Sequence, residues 1–171
     1  MAKSALNDKA KILVFPELFL TGFCYETRPS HFIQEMEPYQ ILDPFRTLSQ
    51  ENGCLIIGSI QVDRLNMGFC LDSDNLELRP KIHPFGSEKA HFDGGNFISP
   101  VATNFGMVGL QICYDLRFPE VARSLALQGA DFLVTVAQFP QVRRSQWRTL
   151  CQARAIENQI PHLACNWADA G

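Results

Sequence analysis

The chain of 171 residues lacks the features that place many proteins in a class from sequence alone. Its six cysteines, at positions 24, 54, 70, 113, 151 and 165, form no CxxC pair and have no zinc-site spacing. It has no basic run and a formal net charge of −3, so binding to nucleic acid or an anionic membrane is disfavoured. No apolar stretch reaches transmembrane length, and Met1–Lys9 contains no secretory signal. We therefore expect free thiols, no metal and a reducing, cytoplasmic setting.

What the chain does have is the composition and the order of elements of an α/β protein. It is 46% hydrophobic, which is enough for a substantial core. Apolar runs bounded by turn residues predict strands at 12–15, 54–60, 67–71, 76–78, 97–101, 107–112, 132–136 and 162–165. Helices are predicted at 43–51, with Asp43 as N-cap, at 119–128 and at 145–158. We predict one α/β domain over residues 1–171 with a mixed sheet.

The segment 109–120 is the most informative part of the sequence. It predicts a buried strand that ends at Ile112 and a helix that opens at Pro119 and Glu120. Cys113 therefore lies on a tight turn between strand and helix, where a nucleophile is surrounded by backbone N–H groups. A base and a nearby cation can activate a thiol there. Because free cysteines are also among the most buried residues, this segment alone leaves a core-filling role open.

Two further polar positions are candidates for catalysis. Glu17 follows a predicted strand that ends at Pro16, and ligand crevices form at such strand ends. Its apolar neighbours predict an apolar environment, in which a carboxylate can act as a base near neutral pH. Lys81 follows the predicted hairpin and can stabilise an oxyanion or a thiolate. A solvated glutamate and a surface lysine are the alternatives. Next to Pro84, His83 is expected to be a turn residue, and Glu88 alone would be a surface charge.

Four motifs in order carry a family resemblance. They are Pro16–Glu17 with Thr21–Gly22, the segment 81–85, the segment 113–120, and Trp147 with Leu150 and the segment 153–158. Together they resemble the nitrilase superfamily of carbon–nitrogen hydrolases, and within it the omega-amidase and Nit-type branch. The resemblance extends from about residue 5 to residue 171. The residues after Cys113 favour small-amide hydrolases over N-carbamoyl-amino-acid hydrolases.

The resemblance implies a four-layer α-β-β-α sandwich and a Glu-Lys-Cys triad. By motif, the resemblance implies that Cys113 is the nucleophile and Glu17 the general base. Lys81 and the backbone N–H of Tyr114 would form the oxyanion hole, and Glu88 would be an assisting carboxylate. No metal or organic cofactor is implied. The implied partners are a small amide and a second copy of the chain, paired through the outer helices. Arg117 is expected either to bind a substrate carboxylate or to pair with Asp115 or the turn backbone.

The chain also departs from the family pattern. A strand before residue 5 and the strands and tail that would follow residue 171 are missing, and the connection 60–66 is short. We therefore expect a sandwich that is incomplete at both ends: either a fragment, or a longer protein without some of its segments. The second is favoured because a fragment lacking a sheet edge should aggregate. Besides an amidase, a nitrile or N-carbamoyl hydrolase and a non-catalytic binding or dimerisation module stay open.

Overall fold

The computed structural model describes residues 2–23 and 39–168, which form helices, strands and short 3-10 helices. The helices are α1 (Ala2–Asn7), α2 (Asp43–Asn52), α3 (Pro119–Leu127) and α4 (Arg144–Asn158). The strands are β1 (Ile12–Val14), β2 (Leu55–Val62), β3 (Leu65–Leu71), β4 (Leu76–Pro80), β5 (Val101–Thr103), β6 (Gly106–Ile112), β7 (Phe132–Ala137) and β8 (His162–Asn166). Short 3-10 helices span Gln40–Leu42, Gly86–Ala90, Cys113–Arg117 and Gln141–Arg143. Cys24, which is expected to be a free thiol, lies outside the described residues.

The first sheet has the order β1-β2-β3-β4, with β1 parallel to β2 and the other pairs antiparallel. Tight turns join its antiparallel strands. In the turn from β3 to β4, Asp72 Oδ1 accepts the backbone N–H groups of Asp74 and Asn75, at 3.0 and 2.9 Å. Asp72 Oδ2 accepts the N–H of Asn104 at 3.0 Å, which ties this turn to the turn between β5 and β6.

The second sheet has the order β5-β6-β7-β8. Strands β5 and β6 form a hairpin, whereas β6, β7 and β8 run parallel and are connected by α3 and α4. The carboxyl ends of these three parallel strands therefore meet at one edge of the sheet. Cys113 follows β6 at this edge, Gln138 follows β7, and Trp167 follows β8.

The two sheets pack face to face between helices. Their shared core contains Leu55, Ile57 and Cys70 from the first sheet and Val108, Leu110, Ile112, Val134 and Val136 from the second. A Cβ on Gly68 would lie 2.6 Å from the Leu110 side chain, so the sheets approach closely only because Gly68 has none. Helix α2 covers the first sheet, while α3 and α4 contact each other over the second. This confirms the predicted α/β sandwich and the shared outer layer of α3 and α4.

The structure corrects three sequence predictions. Asp43 is not an N-cap, because the 3-10 helix before it runs directly into α2 and gives Asp43 helical φ and ψ of −57° and −40°. Residues 97–100 are not a strand. The guanidinium of Arg79 donates hydrogen bonds to the backbone carbonyl groups of Ser99 and Pro100, at 3.1 and 3.0 Å. Helix α1 was not predicted. Within residues 2–23 and 39–168, no helix is long and apolar enough to cross a membrane, and no cluster of His, Cys, Asp or Glu is arranged to hold a metal ion.

Candidate active site

Cys113 occupies a strained turn at the end of β6. Its φ is +46°, in the left-handed region that residues with a side chain rarely adopt. The strand ends at Ile112, and a 3-10 helix begins at Cys113 itself. This is the strand-to-helix turn that the sequence predicted. Cys113 is buried, as a cysteine that only fills the core would be. Core filling does not explain its strained backbone, however.

Asp115 fastens this turn to the loop that follows Lys81. Its carboxylate accepts the N–H of Ile112 at 3.2 Å, the N–H of His83 at 2.8 Å and the N–H of Ile82 at 3.3 Å. The ring Nδ1 of His83 lies 2.9 Å from the same carboxylate, and its ring stacks on Phe118. His83 is therefore a turn residue with a satisfied ring, as predicted. The nucleophile turn and the Lys81 loop are held as one unit.

The Glu17 side chain is fully buried beside this unit. Oε1 accepts Lys81 Nζ at 2.7 Å and Asn66 Nδ2 at 2.8 Å, and Oε2 accepts the backbone N–H of Gln138 at 3.0 Å. The expected apolar environment is wrong for the carboxylate itself, because polar groups from three separate segments surround it. The backbone carbonyl of Glu17 also accepts Trp167 Nε1 at 2.8 Å.

Lys81 joins the carboxylates of the site. It is 1% exposed, and its ammonium donates to Glu17 and, at 2.6 Å, to Glu88 Oε2. Glu88 also accepts the N–H of Phe85 at 3.2 Å, which holds the 3-10 helix Gly86–Ala90 against the lysine. Both side chains are buried, so the alternatives of a surface lysine for Lys81 and a surface charge for Glu88 are wrong. Two carboxyl groups thus face one buried cation.

Burial and charge shift the titration of the cluster. Burial raises the pKa of the Cys113 thiol well above its usual range; the Glu17 carboxylate adds to this shift, and Lys81 opposes it. Burial alone would lower the pKa of Lys81, but the charges of Glu17, Cys113 and Glu88 outweigh it, and the net shift is upward. Burial also raises the pKa of Glu88, against the effect of Lys81. Both shifts favour the charged form of Lys81 and the protonated form of the Cys113 thiol.

The structure brings Glu17, Lys81, Cys113 and Glu88 together. The charges of both Glu17 and Lys81 act on the Cys113 thiol: Glu17 raises its pKa and Lys81 lowers it. Tyr114 is the second residue of the short helix, and the first N–H groups of a helix have no acceptor within it. Arg117 forms no ion pair among the described residues; its guanidinium lies 5.4 Å from the ring centroid of Phe139.

Three contacts of Glu17 were missed by the sequence interpretation. They come from Asn66, the Gln138 N–H and Trp167, which lie 49, 121 and 150 residues away in the chain. A single signal was available for Asn66, namely an amide side chain at the start of a mostly apolar strand. Elsewhere in the second sheet layer, Arg154 donates to Glu157 at 2.7 Å, and the Asn166 amide bonds the backbone of Phe139 at 2.6 and 2.9 Å.

Comparison with known proteins identifies the family. The family model for carbon–nitrogen hydrolases matches residues 1–170. The chain belongs to the carbon–nitrogen hydrolase family. This confirms the resemblance inferred from the four sequence motifs.

Several carbon–nitrogen hydrolases resemble this chain closely enough to compare. The deaminated glutathione amidase of Escherichia coli O157:H7 is 34% identical over 170 residues, covering 92% of this chain and 64% of that protein. The omega-amidase YafV of Yersinia enterocolitica is 32% identical over 162 residues, covering 91% of this chain and 61% of that protein. A carbon–nitrogen hydrolase structure from Helicobacter pylori G27 superposes with a TM-score of 0.82 at 26% identity, over 96% of this chain and 65% of that one. The chain thus spans just over three fifths of the length of these relatives.

Proposed function

We propose that the protein is a thiol hydrolase that cleaves the carbon–nitrogen bond of small linear amides and releases ammonia. The observation that carries this proposal is the buried cluster in which Glu17 binds the Lys81 ammonium at 2.7 Å and raises the pKa of the buried Cys113 thiol. Amide hydrolysis needs a nucleophile, a proton carrier and a donor for the oxyanion, and the cluster supplies all three. Two amidases among the relatives favour amides as the substrate class.

In the first half of the reaction, Cys113 Sγ attacks the amide carbon while its proton passes to Glu17. The oxyanion is bound by Lys81 and by the N–H of Tyr114. An ammonium group has three N–H donors, and Glu17 and Glu88 engage two of those on Lys81, which leaves one for the oxyanion. Glu17 then returns the proton to the leaving nitrogen, the carbon–nitrogen bond breaks, and ammonia departs from a thioester.

In the second half, water hydrolyses the thioester. Glu17 takes a proton from the water as its oxygen attacks the carbonyl carbon, and the carbon–sulfur bond breaks to release the acid. The proton returns to the Cys113 sulfur. Glu88 holds Lys81 between two carboxylates through both steps, so the oxyanion donor stays fixed.

Arg117 is proposed to bind a carboxylate at the far end of the substrate. Its half-buried guanidinium lies over the ring of Phe139, next to Gln138, whose N–H binds Glu17. A cation without an acidic partner among the described residues suits an omega-amide of a dicarboxylic acid. The alternative pairing of Arg117 with Asp115 is wrong, because Asp115 bonds the turn backbone and His83 instead.

The proposal is tested by ammonia release from omega-amides, simple nitriles and N-carbamoyl amino acids. Cys113→Ala should abolish release and leave the fold intact, because alanine fits the space of the thiol. Cys165→Ala, at a half-buried thiol in β8, is the matched control and should keep full activity. Intact-mass spectrometry should detect the acyl adduct on the wild-type protein. Activity that survives in Cys113→Ala contradicts the proposal.

The same screen separates the alternatives. Turnover of nitriles or carbamoyl compounds alone would assign one of those activities. No turnover of any compound, with no acyl adduct, would indicate the non-catalytic module.

We further propose a homodimer or larger even oligomer that pairs through α3 and α4. Leu127 and Ile156 are large apolar residues of these helices and are 72% and 75% exposed. Val121 and Leu125 of α3 are buried in the core, whereas Leu127 is exposed. A cytoplasmic location is proposed because the cysteines at 54, 70, 113, 151 and 165 are all free thiols.

A further inference from the structure

Asn66 contacts both charged partners of the proposed reaction. It lies in β3 and is 1% exposed. Its side-chain Nδ2 donates to Glu17 Oε1 at 2.8 Å, and its backbone carbonyl accepts the N–H of Lys81 at 2.8 Å. One residue therefore fixes the carboxylate through its side chain and the lysine through its backbone.

The chemistry of Glu17 determines the orientation of the Asn66 amide. An ionised carboxylate only accepts hydrogen bonds, so the NH₂ group must face it. The amide oxygen, Asn66 Oδ1, is then buried and has no hydrogen-bond partner within residues 2–23 and 39–168. An unmet buried acceptor is unfavourable, and an apolar residue would avoid it. The Asn66 side chain is therefore explained by the hydrogen bond that its NH₂ group donates to Glu17, and not by packing.

The contacts of Glu17 divide its two oxygens between different tasks. Oε1 receives two donors, Asn66 Nδ2 and Lys81 Nζ, whereas Oε2 receives the single N–H of Gln138. Gln138 follows β7, whose Val136 pairs with Ile112 directly before Cys113, so Oε2 is the oxygen on the side of the Cys113 turn. With Oε1 occupied, Oε2 keeps the lone pair that can take a proton.

We propose that Asn66 is a positioning residue that directs the proton of Cys113 to Glu17 Oε2. In that step the S–H bond breaks, an O–H bond forms at Oε2, and the sulfur keeps the electron pair for attack. The inference rests on the proposed hydrolase function. The groups that face Glu17 are Lys81 and Cys113, with Glu88 acting through Lys81, and all three are retained when Asn66 is replaced.

The test compares Asn66→Ala, Asn66→Asp and a control on the intact protein. Asn66→Ala removes one charge-assisted hydrogen bond, so kcat should fall roughly 10- to 100-fold. KM should not change, because Asn66 is buried and does not reach the substrate. The acid limb of the kcat/KM profile should move to higher pH, because the carboxylate has lost a donor to its charged form. Asn66→Asp keeps the shape but places a second carboxylate against Glu17, so both effects should be larger.

Gln61→Ala is the matched control. Gln61 is the cross-strand partner of Asn66, and its side chain donates to the Asp63 carbonyl at 3.0 Å, away from Glu17. Its kcat and pH profile should equal those of the wild type. Wild-type kinetics and an unmoved acid limb in Asn66→Ala, or in Asn66→Asp if the alanine variant does not fold, overturn the inference.

Alkylation of Cys113 by iodoacetamide separates this inference from the proposed function. If the wild type hydrolyses nothing in the substrate screen, the proposed function fails, but the alkylation rate still reports on the Glu17–Cys113 pair. Asn66→Ala should then alkylate more slowly near neutral pH, with its profile displaced along the pH axis. Identical profiles in the variant, the control and the wild type would show that Asn66 is only structural.

Discussion

Replacing Lys81 by methionine tests the charge balance of the site most directly. The two side chains have similar length, so the substitution removes the ammonium and little volume. It leaves the Glu17 and Glu88 carboxyl groups buried without the cation that now lies 2.7 and 2.6 Å away. Breaking a buried ion pair by removing one partner costs about 3–5 kcal/mol. Glu17 keeps its bonds from Asn66 and Gln138, so we expect about 3 kcal/mol.

The loss of stability should depend on pH in a defined direction. Burial already raises the pKa of Glu88, and removing Lys81 removes the main opposing effect. The folded variant therefore binds more protons than its unfolded chain above the unfolded pKa, which lies near 4.5. Its stability must fall as pH rises through that range. The difference from wild type should be larger at pH 8 than at pH 5.

Urea unfolding followed by circular dichroism measures this difference at each pH. A variant that carries Lys81→Met together with Glu17→Gln and Glu88→Gln has no charge left in the cluster, so it should recover much of the stability. It should still lack activity, and Lys81→Met alone should lower kcat roughly a hundredfold or more, as loss of an oxyanion donor does. A stability loss that is independent of pH, or no recovery in the neutral variant, would refute the charge-cluster interpretation.

Three further predictions follow from the structure. Glu88→Gln keeps an acceptor for Lys81 but weakens a charge-assisted hydrogen bond, so steady-state kinetics should show a roughly tenfold loss of kcat, less than for Lys81→Met. Ile156→Arg should shift the protein toward monomer in sedimentation across a dilution series, and a wild-type monomer at every concentration would contradict the proposed pairing. Gly68→Ala places a Cβ 2.6 Å from Leu110, so urea unfolding should show a loss of about 1–3 kcal/mol, and unchanged stability would show that the sheets can move apart.

Local sequence signals drew attention to Cys113 and Glu17, and the family resemblance supplied their expected roles. Cys113 follows an apolar strand and precedes a proline-initiated helix, and Glu17 follows a strand that ends before Pro16. Such signals say that a side chain stands at the end of a strand, but not what surrounds it. The polar environment of Glu17 could not be predicted, because its donors come from Asn66, Lys81 and Gln138, far apart in the chain.

The errors in the fold prediction have a similar origin. Periodicity predicted the strands with continuous partners, such as β6 and β7, within one or two residues. It extended β5 too far, because the backbone carbonyls of residues 99 and 100 are bonded by the guanidinium of Arg79. It misplaced the start of α2, because Asp43 can cap a helix only if no helical turn precedes it. The start of β5 and the start of α2 both depend on contacts that a short sequence window does not contain.

The site exists only where the two sheets meet. Asn66 and Lys81 come from the end of the first sheet, while Cys113 and Gln138 follow strands of the second, and Glu17 receives donors from both. The packing of the sheets therefore sets the distance between Glu17 and Cys113. Because burial disfavours the thiolate of Cys113, the proposed mechanism forms it only as the proton passes to Glu17. Any change that separates the sheets should thus weaken catalysis before it unfolds the protein, since proton transfer needs hydrogen-bond contact and the apolar core does not.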